Sequence, residues 1–407
     1  MIPPYLQFSR FQGSRIHLGV TGSIAAYKVL DLCRDFLRSG IEMSATMTRA
    51  AQEFLRPLSF EGLGVDPVYT ALFDHEHRLF GHLEPGQVAH TLVIAPATAN
   101  SLAKLAHGLA DDMLSCQALA FSGPLVVCPA MNPRLWNAPA TQENIDKLVS
   151  RNVAFVAPGF GEMACGDTGQ GKLASIEEIY LHVLRTLSTK DLAGKRLVIT
   201  LGPTREFWDP VRFWSNPSSG KMAAALAIAA WLRGAQVDCV CGPNQLWFPE
   251  DIRVHPVTSA QEMYETTVSL WPDMDIGCLC AAVCDFRPET VSKEKFKKDT
   301  LGHKSLQVNF VANPDILKHL GQEKTVDQRL IGFAAESTAS LFEAAQSKIR
   351  SKNLDIIVAN NIADPEYGFG SPVNQCLILD RFGAYENIPQ RTKADIAWRI
   401  WDWILQI

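Results

Sequence analysis

The sequence predicts an α/β protein of two doubly wound, Rossmann-like domains. Short, continuously apolar runs alternate with stretches of helical spacing, as in a parallel sheet covered on both faces. The alternation pauses in a polar stretch at 187–194 and then restarts. A length of 407 residues suits two domains of roughly 100–200 residues each. The expected division is 1–190 and 191–407, each domain carrying its ligand site at the carboxyl ends of its strands.

In the first half, residues 16–20 read as a strand, 24–37 as a helix ended by Gly40, and 43–47 as the next strand. Further strands are expected at 92–95, 125–128 and 153–156, each followed by a turn and a helical stretch. After the linker, 196–200 reads as a strand, 219–233 as a helix and 237–241 as a strand. The runs 276–282, 330–334 and 355–359 continue the pattern.

Composition narrows the class. Apolar residues make up 47% and charged residues 20%, enough for a sizeable core. A net charge of −5 argues against a broad basic surface for nucleic acid. The longest strongly apolar run, 222–232, is far short of the about 20 residues that span a bilayer. The first fifteen residues lack the apolar core of a signal peptide, so a cytoplasmic location is expected. The ten cysteines should then be mostly reduced. Cys239, Cys241, Cys278, Cys280 and Cys284 lie in apolar, strand-like runs without the spacing of a zinc knuckle, and read as buried small hydrophobes.

Chemistry-bearing residues collect after the strands. Thr21-Gly-Ser-Ile-Ala-Ala26 joins a strand to a helix, where small residues let backbone amides approach an anion. It is not GxGxxG, so a dinucleotide is not favoured; a tight turn without ligand reads equally well. Ala95-Pro-Ala-Thr-Ala-Asn100-Ser101 repeats the arrangement, and Thr98 also suits simple helix capping. Asn132 before Pro133 is either an N-cap or a ligand-facing amide. Cys165 sits on a glycine-rich loop with Asp167, Gly169 and Gly171, a better acid–base candidate than the strand cysteines. His75, His77, His82 and His90 crowd one segment in no HExxH spacing, and a solvated surface accounts for His75 and His77.

The segments Gly22-Ser-Ile-Ala-Ala-Tyr-Lys28, Gly81-His82-Leu-Glu84, Ala95-Pro-Ala-Thr-Ala-Asn100, Pro129-Ala-Met-Asn132 and Ala164-Cys165-Gly-Asp167 occur in one order. That set resembles the homo-oligomeric flavin-containing cysteine decarboxylases, most closely those acting on phosphopantothenoylcysteine. The resemblance implies FMN, its phosphate near Gly22, Ser23, Thr98, Asn100 and Ser101, with Ile24, Thr48 and Ala130 near the flavin. It implies that His82 is an active-site histidine, that Asn132 binds the substrate carboxylate and that Cys165 donates a proton. Such residues fit oxidation of the substrate thiol to a thioaldehyde, loss of CO2, and return of hydride and proton to the resulting enethiol. His90 and Asp111 stand where relatives commonly carry Asp and Asn.

In the second half, a strand leads into Gly202-Pro-Thr-Arg-Glu206, and Ser215-Asn216-Pro-Ser-Ser219-Gly-Lys221 precedes a helix. Hydroxyls, glycine and a lysine at a helix start suit a phosphate, although the P-loop spacing is missing and a plain capped helix also fits. Lys293, Lys295, Lys297 and Lys298 form a basic run in an acidic chain, readable as a solvated face or as a clamp on a triphosphate. Asn313-Pro-Asp-Ile316 reads as a helix start, and Lys348 and Lys352 share the i, i+4 spacing of one helix face.

Together with Ala281-Ala-Val-Cys-Asp285-Phe, Gly332-Phe-Ala-Ala-Glu-Ser337 and Lys352-Asn-Leu-Asp355, this set is similar to the phosphopantothenate–cysteine ligases, and the chain from about residue 15 onward to the bifunctional enzymes of bacterial coenzyme A synthesis. The resemblance implies CTP-dependent condensation of 4'-phosphopantothenate with cysteine through an acyl-cytidylate, then FMN-dependent decarboxylation to 4'-phosphopantetheine. Asn216 would stabilise the acyl-cytidylate and Lys295 the triphosphate. Leu279, Cys280, Ala281, Asp285, Pro314, Asp315, Ile316, Leu317, Phe333, Lys348 and Lys352 would hold CTP, with Mg²⁺ bridging its phosphates. Pro217 stands where relatives often carry Arg or His. The resemblance further implies trimeric flavodomains, with His82 across a subunit boundary from the flavin, and paired ligase domains. Trimers joined through dimers can close as a dodecamer. Two other readings stay open on the residues: a flavodomain kept only for assembly, and a generic flavin oxidoreductase fused to a nucleotide-binding module.

Overall fold

The computed structural model describes residues 1–73, 80–296, 307–336, 341–361 and 373–407. They form two compact units. One comprises Ser9–Ser188 with Met1–Ile2; the other comprises Thr189–Ile407 with Pro3–Phe8.

The first unit is built on β1 (Arg15–Val20), β2 (Glu42–Met47), β3 (Val68–Tyr69), β4 (Thr91–Ala97), β5 (Leu125–Pro129) and β6 (Ala154–Phe155). All are parallel, in the order β3-β2-β1-β4-β5-β6. Every residue of β4 is buried, which is why its sequence is apolar without alternation. Its helices are α1 (Val29–Arg38), α2 (Pro57–Glu61), α3 (Glu84–Val88), α4 (Ala99–His107), α5 (Met113–Ala120), α6 (Pro133–Trp136), α7 (Pro139–Val149) and α8 (Ile176–Leu187). The helix expected over 24–37 is divided: Ser23 caps a 3₁₀ turn, Ile24–Lys28, before α1 begins. A hairpin of β7 (Gly159–Glu162) and β8 (Thr168–Lys172) stands apart from the main sheet.

The second unit holds β9 (Arg196–Leu201), the hairpin β10 (Arg205–Phe207) and β11 (Phe213–Ser215), then β12 (Gln236–Cys241), β13 (Arg253–Pro256) and β14 (Ile276–Leu279). The pair β15 (Phe286–Pro288) and β16 (Phe310–Ala312) follows, then β17 (Arg329–Glu336), β18 (Ile356–Asn361), β19 (Val373–Asp380) and β20 (Tyr385–Thr392). The large sheet runs β13-β12-β9-β14-β17-β18-β19-β20. It is parallel as far as β18, but β19 and β20 pair antiparallel, an extension the apolar alternation did not predict. The helices are α9 (Lys221–Leu232), α10 (Ala260–Leu270), α11 (Ile316–Glu323), α12 (Leu341–Ser351) and α13 (Lys393–Ile404).

Two boundaries differ from expectation for local reasons. α9 starts at Lys221 rather than 219 because Gly220 adopts φ 70°, a left-handed conformation that a helix cannot include. The strand expected over 276–282 ends at Leu279, where the chain leaves the sheet. The Ala281 N–H then bonds the Thr200 hydroxyl and the Ala282 N–H the Gly202 carbonyl.

Helix α9 explains the long apolar run. Its residues from Ala223 to Leu232 are all buried, as a helix without a polar face must be. It packs on α13 and on a short 3₁₀ turn, Pro4–Leu6, whose Tyr5 and Leu6 are also buried. The Trp401 indole N–H donates to the Leu226 carbonyl across this contact.

Arg233 ends the helix with its side chain 2% exposed. Its guanidinium donates to both oxygens of Asp191, to Asp402 and to the Trp398 carbonyl, and lies 5.0 Å from the Trp398 ring centre. The charge thus ties the linker to α9 and α13. Arg233→Ala should cost about 3 kcal/mol, the lower end for a broken buried ion pair because both aspartates are partly solvated. Urea unfolding of the full chain checks this through a lowered midpoint.

Candidate active sites

The first cavity, about 910 Å³, opens at the carboxyl ends of β1, β2, β4 and β5. Gly22, Ser23, Thr48, Thr98, Asn100, Ser101 and Ala130 line it. Its walls follow from local bonding. Thr98 caps α4, its hydroxyl oxygen accepting from the Ser101 N–H. The Thr21 hydroxyl donates to the Pro96 carbonyl at 2.6 Å and accepts from the Thr98 N–H, stitching β1 to β4. Glycine at 22 is demanded by the fold itself: a Cβ there would sit 2.4 Å from that of Ala50. The helix N-terminus and hydroxyls of Thr98 and Ser101 are a donor set suited to a phosphate.

Lys104, Asp111 and Asp112 also line this cavity, and sequence reasoning missed the set. Lys104 pairs with Asp111 at 2.6 Å and Asp112 at 2.7 Å. Burial opposes its charge, but hydrogen bonds to both carboxylates outweigh burial and raise its pKa. The charge of Lys104 is therefore matched twice within the wall. Asp112 also caps α5 by a reciprocal bond with Ser115.

A second group of side chains gathers where α6 meets the β7–β8 hairpin. The Asn132 amide donates to Asp167 Oδ2 at 2.7 Å and to Cys165 Sγ at 3.2 Å, while its Oδ1 accepts from the Arg134 N–H. The amide thus has its orientation set by its oxygen and its nitrogen together. Asn132, the largest influence, and Arg134 hold the Asp167 carboxyl below its ordinary range. Cys165 is exposed, unlike the strand cysteines Cys239 and Cys278. Asn132 stands 33 and 35 positions before Cys165 and Asp167 in the chain; the fold brings it onto their loop.

The second cavity, about 480 Å³, lies at the carboxyl ends of β9, β14 and β17. Asn216, Leu279, Ala281, Asp285, Pro314, Asp315, Ile316, Leu317, Phe333, Lys348 and Lys352 line it. The Asn216 amide is aimed by the Val283 carbonyl at 3.0 Å. Asp315 caps α11 and pairs with Lys352 at 2.9 Å. Asn313 also lines the cavity, its amide donating to the Cys284 carbonyl. Its place beside the Pro-Asp helix start was the available signal.

Six expected site residues do not line these cavities within the described residues, Asn132 and Cys165 of the second group among them. Ile24 is 59% exposed on its 3₁₀ turn. His82 lies in the turn before α3. Cys280 falls between Leu279 and Ala281, which line the cavity while it does not; successive side chains of an extended chain face opposite ways. Lys295 is exposed on a loop anchored one residue later, where the Phe296 N–H donates to buried Asp209 and its carbonyl accepts from Arg212. His75, His77, Lys297, Lys298 and Ser337 lie outside the described residues. His90 Nδ1 accepts from the Arg15 N–H, a structural bond.

Residues 9–188 match the family model described as Flavoprotein, and residues 192–407 that described as DNA/pantothenate metabolism flavoprotein C-terminal domain. The coenzyme A biosynthesis bifunctional protein CoaBC of Vibrio cholerae is 38% identical over 386 residues, 95% of this chain and 96% of its own. The chain belongs to the CoaBC family. The CoaBC of Bacillus subtilis is 39% identical over 389 residues, 94% of each chain. Among solved structures, the FMN-dependent cysteine decarboxylase SpaF is 35% identical, covering 42% of this chain and 98% of its own, with a TM-score of 0.37. As a CoaBC family member the chain is a bifunctional enzyme of coenzyme A biosynthesis, a decarboxylase joined to a ligase. No helix among the described residues is long and apolar enough to cross a membrane.

The hairpin of β7 and β8 depends on one close approach. Gly171 has φ 141°, and a Cβ there would lie 2.3 Å from the Met131 carbonyl oxygen. Gly171→Ala should cost roughly 1–3 kcal/mol from strain alone. Thermal unfolding of the purified protein checks the loss.

Proposed function

We propose that the two cavities carry the two CoaBC steps separately: the second condenses 4'-phosphopantothenate with cysteine at the expense of CTP, and the first, holding FMN, decarboxylates the product. The observation that carries this reading is the convergence of Asn132, Cys165 and Asp167 on one hairpin beside a phosphate-suited cavity, in a chain whose first half matches the Flavoprotein family.

FMN fits the first cavity through the α4 N-terminus and the hydroxyls of Ser23, Thr98 and Ser101, with Gly22 and Asn100 beside them and Thr48 and Ala130 toward the flavin. The chemistry FMN supplies when bound is two-electron exchange with the substrate thiol, which gives the carbanion left by CO2 a place to delocalise. Asn132 offers its amide N–H to the substrate carboxylate, exchanging it from the Cys165 thiol. Cys165 holds a proton at Sγ for the product carbon, and Asp167 keeps the Asn132 amide turned toward that thiol. His82 acts in the same reaction, reaching the flavin of a neighbouring subunit in a trimer.

In the second cavity, Asn216 donates to the acyl-cytidylate and Lys295 closes on the triphosphate. Lys348 and Lys352 add positive charge, Phe333 and the 279–281 turn flank the nucleotide, and Asp285 and 314–317 complete its pocket. Mg²⁺ arrives with CTP and is held through its phosphates; no cluster of three or more His, Cys, Asp or Glu suited to a metal occurs among the described residues. The ligase units pair as dimers, and the enzyme works in the cytoplasm.

The test is an assay of the intact protein with 4'-phosphopantothenate, CTP and cysteine, following pyrophosphate and CO2 together; release of neither would refute the reading. Cys165→Ser should still release CO2 but accumulate the enethiol, since a hydroxyl is a far weaker acid; mass spectrometry of the products checks this. Lys295→Gln should slow acyl-cytidylate formation by about 10²–10³ while decarboxylation of supplied 4'-phosphopantothenoylcysteine survives. Lys293→Gln is the control, and equal slowing by both would assign the effect to diffuse charge.

A further inference from the structure

The turn that carries His82 is held from beneath by buried polar groups. Nδ1 of His17 lies 2.8 Å from the Ser44 hydroxyl, and Nε2 lies 2.8 Å from the Thr46 hydroxyl and 3.1 Å from Gln117 Oε1. The Thr46 hydroxyl donates to Gln117 Oε1 at 2.5 Å. Gln117 Nε2 donates to the Gly81 carbonyl at 2.9 Å. His17 and Thr46 are fully buried and Gln117 is 1% exposed.

The bonds run in one direction. Thr46 has a single hydroxyl proton and gives it to Gln117, so it must accept from His17 Nε2–H. Nδ1 is then unprotonated and accepts from Ser44. Burial pushes the His17 pKa down to about 4, so the imidazole is neutral at physiological pH and the direction holds. With Oε1 committed to Thr46 and His17, the Gln117 amide can only turn its N–H toward Gly81; a flipped amide would set oxygen against oxygen there. Gly81 has little room to move: a Cβ on it would sit 2.9 Å from the Tyr69 ring. Apolar residues of the same volume would satisfy packing alone at no cost in desolvation. The polar chain runs from Ser44 to the carbonyl immediately before His82.

We propose that His17, Thr46 and Gln117 are positioning residues that hold the Gly81–His82 peptide, and through it the His82 imidazole, in the geometry needed for the flavin-linked half-reaction. The proposal rests on the reading of His82 as an active-site residue.

A double-mutant cycle on the intact holoenzyme tests it. Anaerobic mixing with 4'-phosphopantothenoylcysteine gives the rate of flavin bleaching for wild type, Gln117→Met, His82→Asn and the double variant. Gln117→Met should slow bleaching roughly tenfold, with KM little changed and FMN retained. The double variant should be no slower than His82→Asn alone, because the position of an absent imidazole is immaterial. Wild-type bleaching in Gln117→Met, or a double variant slowed by the product of the two effects, would overturn the relay. A general structural defect gives that second outcome, with loss of FMN. His82→Asn bleaching at the wild-type rate would instead remove His82 from the mechanism, and the relay with it. Should Gln117→Met not fold, Thr46→Val enters the same cycle, removing the proton that orients the amide; the same outcomes decide.

Discussion

Both cavities exist because neighbouring parallel strands hand their chains off in opposite directions. In the first unit β1 leads outward to β2 and β3, while β4 leads the other way to β5 and β6. In the second, β9 leads to β12 and β13, and β14 to β17 and β18. At such a reversal no crossover covers the carboxyl ends of the two central strands, and a crevice is left. Everything placed in it, from Thr98 and Ser101 to Asn216 and Ala281, is there because a strand ended beside it.

Much of this was legible in the sequence because a parallel strand buried on both faces must be apolar throughout. That rule located β1, β4, β9 and β14, and with them the turns at 22–24, 98–101 and 279–282. It failed for β19 and β20, which lie at one side of the sheet and run antiparallel; β20, with only Ile388 buried, has the polar sequence of an edge. The same limit applies to the site. Residues that directly follow strands were found, whereas the pairing of Lys104 with Asp111 and Asp112 joins two helices and has no local signature. Cys280 shows the finer limit, since a motif gives consecutive residues while an extended chain turns alternate side chains away.

The two cavities treat charge differently. In the first, Lys104 is neutralised within the wall, and an anion is met by backbone N–H groups and hydroxyls beside Arg49, which also lines the cavity. In the second, Lys348 and Lys352 lie on a helix and at its end, and Lys352 is paired with Asp315. A cofactor that stays bound through many turnovers suits rigid dipoles.

Residues Pro3–Phe8 join the second unit, although 180 residues of the first separate them from it. Tyr5, Leu6 and Phe8 precede every described strand, and the helix they meet, α13, follows every one. All of the flavodomain but Met1–Ile2 therefore lies, in chain order, between two parts of the ligase domain. A boundary drawn near residue 189 to isolate that domain would remove Tyr5, Leu6 and Phe8, buried side chains of its unit, along with the flavodomain.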